Sequence, residues 1–128
     1  MVSKVKVLVI DDDDEHIAVL QACADESDRV ELKIIQLEGD ITEQVKKWDP
    51  AVVLLDAHSE AINAVKILTN ELTQAVQIVV TSRSNSPEIE AWAKREGAAG
   101  YFPNSGSREC VEVFLEELAE LPTDVTKH

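Results

Sequence analysis

At 128 residues and 45% hydrophobic composition, the chain has the length and apolar content for one domain around a core of ordinary size. Its 25 acidic residues against 12 basic ones give a formal net charge of -13, which argues against a nucleic-acid surface, because phosphate backbones are held by clustered Lys and Arg. No apolar run approaches the roughly 18 residues of a membrane span, and the opening MVSKVKVLVI is too short for a secretory leader; the expectation is a cytosolic protein whose partners are proteins or cations, with no direct nucleic-acid or membrane contact.

Apolar runs of strand length alternate with segments of helical period, predicting strands near 4–10, 30–37, 51–56, 76–81 and 98–102, each followed by a helix. The first run, VLVI, is continuously apolar and stops in Asp11-Asp12-Asp13-Asp14. Ile17, Leu20 and Ala24 then form a helical stripe, and Asp13 or Asp14 is expected to cap that helix. Val30-Glu31-Leu32-Lys33-Ile34 alternates, as a strand with one wet face does, and so is an edge candidate. Ile41, Val45 and Trp48 mark a second helix. AVVLL and QIVV, either side of a helical stripe at Ile62, Val65 and Leu72, read as central strands buried on both faces. Ser86-Pro87-Glu88 is a helix start, with a cap, a proline at the first helical position and an early acid. The stripe Ile89, Trp92, Ala93 follows, with Gly97 after Lys94 and Arg95 as the stop, and the last helix carries Val111, Phe114, Leu115 and Leu118. Residues 1–122 are expected to form the domain and 123–128 a tail. Cys23 and Cys110 stand singly in helical patterns without metal-ligand spacing, which predicts buried thiols, with a disulfide as the alternative.

Strands separated by helices pair in parallel through right-handed crossovers. With the second strand at an edge, the expected architecture is an α/β, flavodoxin-like (βα)5 doubly wound sheet of order 2-1-3-4-5, which binds ligands beyond the carboxyl ends of its strands. Those ends carry the aspartate run after strand one, Asp56 after strand three, Thr81-Ser82 after strand four, and Tyr101-Phe102 followed by Pro103-Asn104-Ser105 after strand five. Strands one, three and four are neighbours in that order, so Asp11, Asp12 and Asp56 should converge beside Thr81. Clustered carboxylates repel, and the remedies are protonation or a divalent cation. Oxygen-only ligands select a hard ion, and Mg2+ suits one or two carboxylates plus phosphate oxygens. Capping accounts for one or two of the four aspartates, but not for their coincidence with Asp56. The reading requires the Asp56 side chain to face those of Asp11 and Asp12 and to be reachable from solvent.

VLVIDDDDEH, PAVVLLD, IVVTS and GAAGYF, in this order and at these strand ends, together resemble the receiver domain of bacterial response regulators over about residues 4 to 120. The resemblance implies a phosphoacceptor at Asp56, which takes a phosphoryl group from a histidine kinase or phosphotransfer protein. It implies Mg2+ held by Asp11, Asp12, Asp56 and the backbone carbonyl of His58, and Thr81 and Tyr101 as switch residues that change the surface offered to a downstream effector. Two features depart from the family. Asn104 stands where a lysine usually binds the phosphoryl group, with Pro103 one step early, and the segment after Asp56, AHSEAINAV, has neither proline nor glycine. Arg83 is a candidate substitute cation, although a solvated counter-charge is the plainer reading. Ser59 is a candidate cap of the third helix, and His58 and His16 read as surface histidines. The alternative function is a receiver-like docking module that does not switch by phosphorylation. An enzyme, such as an aspartate-dependent phosphatase, would need a cap or substrate pocket for which the chain is short.

Overall fold

The computed structural model describes residues 4–11, 14–35, 40–57, 68, 76–82, 86–103 and 108–120. Five strands, β1 (Val5–Ile10), β2 (Val30–Ile35), β3 (Val52–Asp56), β4 (Gln77–Ser82) and β5 (Gly100–Pro103), form one sheet of order β2-β1-β3-β4-β5. All four pairings are parallel. The described helices are α1 (Asp14–Asp25), α2 (Ile41–Trp48), α3 (Pro87–Arg95) and α4 (Arg108–Ala119). The flavodoxin-like order expected from the sequence is therefore the one observed. Of the expected third helical segment only Leu68 is described, and it is helical and fully buried. The proposed tail, 123–128, lies outside the described residues.

The alternation of side chains along each strand divides the core in two. Val7, Val9, Val52, Leu54 and Val79 face α1 and α4, packing with Leu20, Cys23, Val111, Phe114 and Leu118. Leu8, Ile10, Val53, Leu55, Ile78 and Val80 face the other way, against Val45 of α2 and Ala93 of α3. The central strands are buried on both faces, whereas β2 exposes Glu31 and Lys33 between buried Val30 and Ile35, as expected of an edge. The opposite edge, β5, is four residues long and ends at Pro103.

Local chemistry fixes the helix ends. The Ser86 hydroxyl accepts from the Ile89 N–H at 3.2 Å, with Pro87 opening α3, and Gly97 takes a φ of 101° just past its end, a conformation in which a side chain would be strained. Asp40 caps α2 through the Glu43 N–H. Of the two expected caps of α1, Asp13 lies outside the described residues and Asp14 is the first residue of the helix; the charge of Asp14 still favours the positive end of the helix dipole. Trp48 is half-buried, with the ammonium of Lys6 4.7 Å from its ring centroid and donating to the Trp48 carbonyl at 2.8 Å. Neither cysteine is in a disulfide; Cys23 is buried, but Cys110 is only half-buried, at the margin of the stripe formed by Val111, Phe114, Leu115 and Leu118.

Phe114 is 1% exposed and stacks on Phe102, the ring centroids 4.2 Å apart. Phe114→Ala is expected to lower the free energy of unfolding by about 3–5 kcal/mol, read from the midpoint shift in urea at unchanged slope.

Candidate functional site at the carboxyl ends of the strands

Apart from Thr42 on α2, the buried polar residues in the described structure are Asp11, Asp56, Thr81 and Ser82. All four sit at the carboxyl ends of β1, β3 and β4. Burying polar groups in an apolar interior costs free energy unless they are paired, so their concentration at three adjacent strand ends marks a site rather than scattered packing.

The sheet register places them. Asp56 is the Cα partner of Thr81, and the Ala57 N–H donates to the Thr81 carbonyl at 2.8 Å, closing the ladder beyond the last pair. Ile10 pairs with Leu55, so Asp11 falls one step past it, beside Asp56. By the period of two, Asp11 continues the row of Val7 and Val9, Asp56 that of Val52 and Leu54, and Thr81 that of Val79. All three rows lie on the face packed by α1 and α4. The two aspartates and the threonine thus share one side of the sheet, as the sequence leads one to expect. Phe102, the partner of Thr81 on β5, belongs to the same face, while Tyr101 lies on the other, the face on which Ile89 and Trp92 also pack.

The carboxylates are deeply placed: Asp11 is 4% exposed and Asp56 3%. Asp11 Oδ2 accepts from His16 Nδ1 at 2.6 Å. His16, read from the sequence as a surface residue, has a side chain only 11% exposed. The available signal was its place in the first turn of α1, five residues beyond Asp11, from which an imidazole reaches back over the strand end. Asp56 interacts with its surroundings, but its Oδ2 is a buried oxygen with no hydrogen-bond partner. Two hard oxygen donors at adjacent strand ends, one presenting an atom not committed to a protein donor, fit an oxygen-seeking divalent cation. Among the described residues no group of three His, Cys, Asp or Glu side chains is placed to hold a metal. Of the expected set, Asp12 and His58 lie outside them, as do Asn104, Arg83 and Ser59.

Tyr101 is half-buried, and its hydroxyl accepts from the Ser86 N–H at 2.9 Å. Because Ser86 is the cap of α3, the ring on β5 is tied directly to the start of that helix. The sequence singled out both residues, but not the bond between them.

No protein-family profile matches the chain, and no curated protein matches it in sequence. Solved structures do. The signal receiver domain of the response regulator NarL from Mycobacterium tuberculosis superimposes with a TM-score of 0.74 at 21% identity, covering 93% of this chain and 98% of its own. The fold is that of a response regulator receiver domain. The response regulator domain of Thermotoga maritima CheB gives 0.71 at 21% identity over 96% of this chain and 98% of that one. The BeF3-activated receiver domain of DrrB gives 0.63 at 16% identity over 92% and 99%. No helix among the described residues is long and apolar enough to cross a membrane.

Removing the Tyr101 hydroxyl leaves the Ser86 amide without this acceptor, a loss of about 1 kcal/mol. Tyr101→Phe is therefore expected to speed hydrogen exchange at Ser86 by roughly fivefold, measured by NMR, with amides in β1 unaffected.

Proposed function

We propose that the chain is a receiver that accepts a phosphoryl group on Asp56 from a histidine kinase or phosphotransfer protein, with Mg2+ as cofactor, and so alters a protein-binding surface. The observation that carries this reading is the burial of Asp11, Asp56 and Thr81 in one row at three adjacent strand ends. A scaffold built only for packing has no use for carboxylates in that position. The receiver fold supports it, since ligands of doubly wound sheets bind beyond the carboxyl ends of the strands.

In the proposed reaction a carboxylate oxygen of Asp56 attacks phosphorus. A P–O bond forms as the P–N bond to the donor imidazole breaks, and the leaving nitrogen keeps the electron pair. Mg2+, when bound, neutralises charge on the transferring group; Asp11, Asp12, Asp56 and the backbone carbonyl of His58 are the residues assigned to hold it. The Thr81 hydroxyl, beside Asp56 on β4, donates to a phosphoryl oxygen. Tyr101 responds through its position between β5 and the cap of α3, and the surface formed by α3, β5 and α4 carries the signal to an effector. The assigned role is signalling rather than turnover of a substrate, in a cytoplasmic setting. Asn104, in place of a lysine, can donate a hydrogen bond but brings no charge to the phosphoryl group.

A second reading has its own support. The solvent access that the sequence reading requires of Asp56 is not met in this structure: the residue is 3% exposed, which is little for a nucleophile that must meet a protein partner, and Asn104 deprives the site of its usual cation. Both favour a docking module that keeps the fold without accepting phosphate.

Addition of Mg2+ and beryllofluoride distinguishes the two. The receiver reading expects amide shifts at Thr81 and Tyr101 that require Mg2+ and vanish in Asp56→Asn; an unchanged spectrum selects the docking module. If the missing cation limits the site, Asn104→Lys should tighten beryllofluoride binding about tenfold, the scale of one charge-assisted hydrogen bond; equal affinity would refute that account of Asn104.

A further inference from the structure

We propose that His16 is a positioning residue for the cation site: its imidazole holds the Asp11 carboxylate in the orientation that serves a divalent ion. The inference rests on the receiver reading and adds to it a residue from this chain's own sequence. It starts from the 2.6 Å contact between His16 Nδ1 and Asp11 Oδ2, in which the side chains are 11% and 2% exposed. A carboxylate oxygen only accepts, so Nδ1 carries the proton, whatever the state of the other ring nitrogen.

The terminal torsion of an aspartate is broad and roughly two-fold. A donor fixed at Oδ2 sets the plane of the carboxylate, and with it the direction in which both oxygens are presented. His16 is itself anchored, because it belongs to the first turn of α1, a helix whose Leu20, Cys23 and Ala24 are built into the core. The chain thus runs from β1 through three residues into a helix whose third side chain steadies Asp11, the first residue past the strand.

The direction of the effect follows from what is scarce at the site. Negative potential is plentiful: the chain carries a net charge of -13, and Asp56 stands beside Asp11. Geometry is the demanding requirement, since Mg2+ accepts only near-ideal octahedral placement and gives up water reluctantly. A hydrogen bond that orients a ligand contributes more there than its donor subtracts by drawing charge from the carboxylate. Outer-shell partners of this kind typically change metal affinity by about 10–100-fold when removed.

The test measures the Mg2+ affinity of the full chain from amide shifts at the strand ends, in wild type, Asp11→Asn, His16→Leu and His16→Asn. His16→Leu is expected to weaken Mg2+ binding about tenfold or more, and His16→Asn, whose amide nitrogen falls near the place of Nδ1, to recover most of the loss. In wild type the Nδ1 resonance of His16 should move as Mg2+ is added, a readout that remains if a variant fails to fold. Unchanged or tighter binding in folded His16→Leu, no recovery in His16→Asn, or an unmoved Nδ1 resonance at saturating Mg2+ would overturn the proposal. Wild-type protein that binds no Mg2+ would instead remove the cation reading itself. Binding weakened by Asp11→Asn but not by His16→Leu would remove only the role of His16.

Discussion

Like charge held in a buried place is the constraint on which this structure turns. Parallel pairing sets β1, β3 and β4 side by side with their carboxyl ends level, and two of those ends are aspartates exposed by 4% or less. A carboxylate in that setting requires partners, because desolvation and mutual repulsion both oppose its ionised form. The surrounding chain meets the demand locally. An imidazole comes from the first turn of α1, and the threonine of β4 stands opposite Asp56. The apolar strands serve this arrangement as much as they serve stability. Burial on both faces makes the sheet a rigid frame, and rigidity is what allows two acids to be held on neighbouring strand ends.

The same sheet divides the candidate switch between two layers. Thr81 belongs to the row facing α1 and α4, whereas Tyr101, on the adjacent strand, faces α2 and α3 and reaches the cap of α3. A change in how the Thr81 backbone sits is shared with β5 through the ladder between them, and from there the Tyr101 ring has a bonded path to the start of a helix. The connection between the acidic end and the α3 surface is therefore short and made of named contacts.

Much of this was legible in the residues. Continuous apolar runs distinguished the central strands from the alternating β2, and that difference, joined to parallel pairing through right-handed crossovers, pointed to β2 as an edge and to the order of the sheet. Ser86, Pro87 and Gly97 marked their helix because each answers a specific backbone need: a free N–H, a missing donor, a left-handed turn. Asp11, Asp56 and Thr81 could be grouped because strand order converts distant positions into neighbours. His16 could not. Its contact depends on how the strand end and the first turn of α1 come together in space, and helical period alone says only that a polar residue occupies that turn. The same holds for the Tyr101 hydroxyl, whose partner is a backbone amide with no signature of its own. Cys110 illustrates a smaller limit, since a residue at the margin of a helical stripe is assigned inside or outside by the tilt of the helix, which periodicity does not contain.

The two borders of the sheet carry a consequence of their own. Exposed edges invite another chain to add a strand, and proteins discourage this with alternating charges, short strands and proline. Here β2 presents Glu31 and Lys33, and β5 is brief and closes with Pro103. Growth of the sheet by a foreign strand is disfavoured on both flanks, which guards against amyloid-like stacking and leaves helix faces and loop tips as the ground on which recognition by other proteins takes place.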